Sequence, residues 1–260
     1  MRVLFFQELF SVLKILRLLM MAFFFIISTT GLLLFLLLRP FHRNNVYAVA
    51  YVYARFARFL GLTIELRGLE NIPDQPVVYV GNHQNSYDIF TVANAVRPNT
   101  VSVGKKSLKW IPFFGQVYWL SGNILIDRQN KSKAHGTINQ AAQKIKDQQI
   151  SVWLFPEGTR SRGRGLLKFK TGAFYTAAMA GVPILPVAIN TTHDNIDLNR
   201  WNNGKIIIEY MPPIPVERED KPYIRQMADS THELMSAKIQ ELDSELGYSS
   251  AQTETEKVKS

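Results

Sequence analysis

Of the five histidines in the chain, His83 stands where acid–base chemistry is easiest to build. An apolar run, Val77 to Val80, reads as a buried strand and leads through Gly81 and Asn82 straight into it. In open α/β sheets, ligands bind beyond the carboxyl ends of strands. Asp88 follows five residues later. On a continuous helix that step would turn the two side chains about 140° apart. A turn through Gln84, Asn85 and Ser86, with Asn85 or Ser86 capping the helix that begins near Asp88, lets them meet. A carboxylate on one imidazole nitrogen fixes the tautomer and stabilises the imidazolium, so that the other nitrogen can take a proton from a substrate hydroxyl. That is the His–Asp half of a triad, with the nucleophile supplied by the substrate. Taken alone, the spacing favours a plainer reading, in which histidine and aspartate make ordinary capping contacts.

A second cluster, Phe155-Pro-Glu-Gly-Thr-Arg160-Ser161, again follows an apolar strand. Pro156 and Gly158 make a fixed turn. Glu157, Gly158, Thr159 and Arg160 are the candidate binding residues, Arg160 offering a planar fork to a phosphate. Further cations follow at Arg162, Arg164, Lys168 and Lys170, and others precede at Lys105, Lys106 and Arg128. Their place near strand ends suits a phosphorylated substrate. A solvated loop or an RNA-contacting stretch is the plainer reading of Ser161-Arg-Gly-Arg-Gly165. Gly122 to Arg128 and Val182 to Ala188 read as strands lining the same crevice, though each by itself is an ordinary core strand.

The elements that must position these residues are short β-type runs alternating with helical stretches. Strands are expected at 76–80, 100–103, 123–126, 150–155, 184–189 and 205–210, and helices at 89–96, 132–147, 171–181 and 224–246. Such alternation predicts an α/β domain with a mostly parallel sheet flanked by helices. The chain has 260 residues, 47% hydrophobic and 20% charged, with a formal charge of +9. A wholly disordered chain is excluded by that apolar content. Cysteine is absent, which removes disulfides, thiolate metal sites and any thioester held on a cysteine. The charge is uneven, +10 over residues 101–180 and −5 over 181–260. A basic balance so localised points to anionic partners: membrane headgroups, phosphate groups or nucleic acid.

Leu18 to Leu38 contains 17 apolar residues in 21, broken only by Ser28, Thr29, Thr30 and Gly31. As a helix it spans roughly 30 Å, the thickness of bilayer hydrocarbon. It is too long for a usual signal-peptide core, and Arg39 closes it. Leu4, Phe5, Leu9, Phe10, Leu13 and Leu16 add an interfacial helix or an extension of the apolar one. Tyr47 to Leu62 interleaves aromatics with Arg55 and Arg58, as at a headgroup boundary or on a helix packed against the domain. Positive charge lies on both sides of the apolar run, so a full crossing and a re-entrant hairpin both remain open. The expected organisation is membrane-associating helices over 1–61, the α/β domain over 62–247 and a polar, disordered tail over 248–260.

Together and in this order the segments resemble the glycerophospholipid acyltransferase family. Asn82 to Asp88 matches its H-x4-D motif, Gly122 to Arg128 its second block, Phe155 to Ser161 its third and Val182 to Val187 its fourth. Within the family, Val103-Gly-Lys-Lys-Ser-Leu108 and Trp110-Ile-Pro-Phe-Phe-Gly115 most resemble bacterial members that acylate lysophosphatidic acid. The resemblance implies transfer of a fatty acyl group from acyl-CoA or acyl-carrier protein to the 2-hydroxyl of that membrane lipid, giving phosphatidic acid. His83 would be the general base and Asp88 its orienting partner. Glu157, Gly158, Thr159 and Arg160 would form the glycerol-phosphate site, with Arg128 and Lys105 as further candidates. No metal, cofactor or nucleic acid is implied. The implied location is the bacterial inner membrane, with the domain on its cytoplasmic side. Rival readings are a related enzyme with another lyso-lipid acceptor and a basic membrane or nucleic-acid binder, which leaves His83 and Asp88 without purpose. A lipase is weaker still, since no G-x-S-x-G occurs.

Overall fold

The computed structural model describes residues 2–127 and 131–248, without the side chains of 2–11 and 131–135. Arg128, the 249–260 tail and the side chains of Leu4, Phe5, Leu9 and Phe10 therefore lie outside the described residues.

Seven strands form one sheet: β1 (Thr63–Arg67), β2 (Val78–Gly81), β3 (Thr100–Lys105), β4 (Ile124–Ile126), β5 (Ser151–Leu154), β6 (Ile184–Ile189) and β7 (Lys205–Tyr210). Their order is β1-β7-β6-β2-β5-β3-β4. Every pairing is parallel except β6 with β7. The mostly parallel sheet expected from the alternating pattern is present. β2 and β6 are buried at every residue, as strands covered on both faces must be, and this is why they read as unbroken apolar runs. β1 is absent from the sequence expectations. It is a half-exposed edge strand with two charged residues, too weakly patterned to stand out.

Alternate strand residues feed two cores. Val78, Val80 and Val152 face α6 (Lys131–Gln148), α7 (Gly172–Ala180) and α8 (Lys221–Glu245). Tyr79, Trp153 and Leu185 face the other way, toward α2 (Asn45–Tyr53), α3 (Phe56–Phe59), α4 (Asp88–Thr91) and α5 (Phe114–Leu120). α5 is also missing from the expectations; seven aromatic-rich residues including a glycine carry too little helical period.

The N-terminal region is one helix, α1 (Arg2–Leu38), about 55 Å long. No proline interrupts it before Pro40, so the interfacial and apolar parts run on as a single element. Leu13, Arg17, Met21, Thr29, Leu32 and Leu36 are buried. They recur at helical spacing, so α1 lays one stripe along α2, α3 and α5. Two polar ties fix its register where apolar packing alone would let it slide. Arg17 donates to the carbonyls of Leu198, Arg200 and Trp201, and the Thr29 and Tyr53 hydroxyls meet at 3.0 Å. The opposite stripe, including Leu19, Phe23, Ile27, Leu34 and Leu38, is exposed. Val12–Leu38 has a mean hydropathy of 2.5 and is long and apolar enough to cross a membrane.

Candidate active site

The carboxyl ends of β2, β5 and β3 lie side by side at one end of the sheet, bringing the two sequence clusters and Lys105 together. The chain leaves β2 through a turn that is latched rather than free. The Asn82 amide accepts from the Ile189 N–H and donates to the Ile189 carbonyl, both at 2.9 Å. It thus continues the ladder to β6 with a side chain. Gln84 repeats the device, donating to the Asn190 carbonyl and accepting from the Thr192 N–H, each at 2.7 Å. Neither latch was foreseen; the signal was a pair of uncharged amides just past a wholly apolar strand.

Held in this turn, His83 Nδ1 lies 2.6 Å from Asp88 Oδ2. The same oxygen accepts from the backbone N–H groups of Gln84 at 2.8 Å and Asn85 at 3.2 Å. With two backbone N–H groups already donating to it, this buried oxygen acts as an acceptor, and the imidazole proton is accordingly assigned to Nδ1. His83 Nε2 then has its lone pair free, and no group bonds it among the described residues. The ring stacks on Phe155 with centroids 4.2 Å apart and planes 16° apart, which limits its rotation. The expected capping of the following helix is different in detail. Asn85 Oδ1 accepts from Tyr87 N–H within the turn, while Tyr87, the residue just before α4, makes no side-chain cap.

The imidazole lines a cavity of about 840 Å³, which Gly158, Thr159, Arg160 and Lys105 also line. Val49, Val101, Ile89 and Val117 make its walls apolar. Neither Arg160 nor Lys105 has a carboxylate partner among the described residues, so both positive charges remain available to an anion. Gly158 has a φ of 71°, and a Cβ there would come within 2.6 Å of Lys170 Nζ; the turn that brings Arg160 round requires glycine. β6 adjoins β2 but lines no part of this cavity. Its contribution is to hold Asn82.

Glu157 is arranged differently from its neighbours. It is 3% exposed and lines a separate small cavity, with Gln84 and Ser161. One oxygen accepts from the His83 N–H at 2.6 Å, the other from the Leu167 N–H at 3.0 Å. Burial pushes its carboxyl up to about 7, against the pull of those two amides. The Ser161 and Arg162 N–H groups add bonds to the carbonyls of His83 and Gln84, so the loop after β5 is tied to the His83 turn along its backbone. This arrangement can deprotonate a hydroxyl inside a largely apolar cavity and hold an anion beside it.

A family model described as Acyltransferase matches residues 63–190, a span that contains both clusters. A 1-acyl-sn-glycerol-3-phosphate acyltransferase of Haemophilus influenzae is 48% identical over 240 residues, covering 90% of this chain and 98% of the relative. The chain belongs to the 1-acyl-sn-glycerol-3-phosphate acyltransferase family. The enzyme of the same name from Escherichia coli is 50% identical over 211 residues, covering 81% of this chain and 86% of that one. The crystal structure of the 1-acyl-sn-glycerophosphate (LPA) acyltransferase PlsC from Thermotoga maritima shares the fold. It has a TM-score of 0.68 and 26% identity, covering 89% of this chain and 98% of that chain. This protein is therefore an O-acyltransferase, and its reaction requires an acyl donor and an acyl acceptor.

Proposed function

We propose that this acyltransferase moves a fatty acyl group from acyl-CoA or acyl-carrier protein onto the sn-2 hydroxyl of 1-acyl-sn-glycerol 3-phosphate, giving phosphatidic acid. The observation that carries the reading is the Asp88–His83 pair with Nε2 open to a cavity that also holds two unneutralised cations. Nε2 takes the hydroxyl proton while the oxygen attacks the thioester carbonyl. The C–S bond breaks, and the leaving thiolate recovers the proton from the imidazolium that Asp88 has stabilised. With no cysteine in the chain, transfer is direct. Arg160, and Lys105 with it, binds the acceptor's phosphate. Glu157 acts through His83 rather than on the substrate, because both of its oxygens are already committed to backbone amides.

The membrane reading rests on α1. Outside the stripe packed on α2, α3 and α5, the helix leaves apolar side chains exposed around most of its circumference, and a mean hydropathy of 2.5 over Val12–Leu38 suits burial in bilayer hydrocarbon. We assign the site to the cytoplasmic side of the bacterial inner membrane, where the soluble acyl thioesters are.

An acyl-transfer assay over a panel of lyso-acceptors tests the assignment. Lysophosphatidic acid is turned over in preference to lysolipids with zwitterionic or uncharged headgroups. An inert lysophosphatidic acid beside an active alternative acceptor would overturn it. Arg160→Ala raises the acceptor KM by about 10- to 100-fold, the worth of one charge-assisted contact, and leaves the donor KM unchanged. The reverse pattern would assign Arg160 to the donor.

A further inference from the structure

The connection from β3 to α5 carries exposed rings for which the reaction above has no use. Lys106 to Trp110 forms a 3-10 turn with no buried residue. Trp110 is 74% exposed and Phe113 51%. The connection is nonetheless rigidly built. Ile111 N–H bonds to the Leu108 carbonyl, and Gly115 N–H to the Ile111 carbonyl. Gly115 packs so closely that a Cβ would sit 2.5 Å from the Lys109 carbonyl oxygen. Phe113 has φ 63° and ψ −58°, a backbone state that non-glycine residues rarely hold without being forced into it by their surroundings. The fold thus maintains a strained turn and leaves the ring at its apex in solvent.

Two observations say what covers these rings. The inner side of the connection, through Leu108, Ile111 and Pro112, lines the active-site cavity, so its outer side is the cavity's rim. Cations accompany the rings: Lys105 and Lys106 are exposed, and Lys109 Nζ lies 4.5 Å from the centre of the Trp110 ring. Aromatics paired with ammonium groups suit the headgroup boundary of an anionic bilayer. Beyond the connection, Trp119 on α5 is 48% exposed and meets Phe41, just past α1, edge-on at 5.2 Å.

We propose that residues 105–113 form a membrane-inserting lip. Trp110 and Phe113 enter the headgroup–acyl boundary of an anionic bilayer, Lys106 and Lys109 bind its phosphates, and the acceptor passes from lipid into the cavity beside Ile111. The proposal rests on the acceptor being a lysolipid, and it concerns a second contact that acts with α1 intact.

The test uses the full chain with Trp110→Ser and Phe113→Gly combined. Glycine accepts the positive φ, so the unfolding temperature is maintained. Long-chain lysophosphatidic acid is presented in vesicles of neutral and anionic lipid, and a short-chain, water-soluble analogue is presented as monomer. The KM for the vesicle-borne acceptor rises about tenfold or more, since two rings leave the interface, while the KM for the soluble analogue stays within about twofold. Trp110→Phe alone keeps wild-type kinetics but lowers the quenching of tryptophan fluorescence by brominated lipids. Equal losses on both acceptors, no loss on either, or unchanged quenching overturns the lip. So does a loss confined to acyl-carrier protein as donor, which would mark a docking site for that carrier. If the wild type acylates neither acceptor, the acceptor assignment has failed, and the quenching experiment still decides the lip.

Discussion

Replacing His83 by alanine lowers kcat by about three to four orders of magnitude, the contribution of a positioned base together with its orienting partner. His83 is half-buried, and its side chain holds no backbone group in place, so the variant folds and unfolds like wild type. Asp88→Asn is the sharper version. An asparagine oxygen still accepts from the Gln84 and Asn85 N–H groups, so the turn keeps its form. What disappears is the negative charge opposite Nδ1, and with it the stabilisation of the imidazolium. The oxygen that keeps those two N–H groups is also the one that faces Nδ1, so the Nδ1–H tautomer persists and the loss is one of charge. A loss of about two to four orders of magnitude follows. Turnover within tenfold of wild type in either purified variant, with circular dichroism and thermal unfolding unchanged, would sink the mechanism.

Glu157→Gln is the second large effect. Two backbone N–H groups face the two carboxylate oxygens. Glutamine has a single oxygen, so one N–H comes to face an N–H₂. An unsatisfied buried donor costs about 1–3 kcal/mol. The turn relieves it by shifting, and the His83 N–H is one of the two groups that can move. kcat falls by about 10- to 100-fold while the acceptor KM stays within about threefold. A raised acceptor KM with kcat intact would make Glu157 a substrate ligand instead.

Stability follows a different course. Because burial pushes the folded-state carboxyl from an ordinary 4.5 up to about 7, the folded protein keeps a proton that the unfolded chain has released between those values. The stability associated with protonated Glu157 is complete below the lower value, is lost as pH rises through the window and is constant above it. Glutamine does not titrate. The unfolding temperature of Glu157→Gln therefore gains on wild type as pH rises from about 5 to 8, by a few degrees for roughly 1–3 kcal/mol. A difference that is flat across that range would show that the carboxyl titrates normally. Loss of activity together with this gain in stability separates positioning from simple unfolding.

Strands β2 to β7 were legible because each carries a short apolar run, and such runs are local; β2 and β6, covered on both faces, are buried throughout. β1 and α5 were not, one being a charged edge and the other a short aromatic turn whose helical state is decided by what it packs on. The His83–Asp88 pair was legible as a possibility only. Five residues apart on a helix they could not meet, and the turn that joins them is held by Asn82 and Gln84, whose partners lie more than a hundred residues away.

Residue type and order along the chain were enough to expect an α/β sheet, a base with its carboxylate, a basic anion site and an apolar N-terminal segment, because each depends on composition or short-range period. The direction each side chain faces depends on contacts between distant segments. Glu157 and Arg160 stand three residues apart, yet one is sealed against backbone amides and the other faces the cavity. Arg17, the charged residue just before the apolar run, is a buried clasp on carbonyls more than 180 residues away. Such partners are brought together only when the sheet closes, because burial and hydrogen-bond satisfaction are properties of the assembled fold.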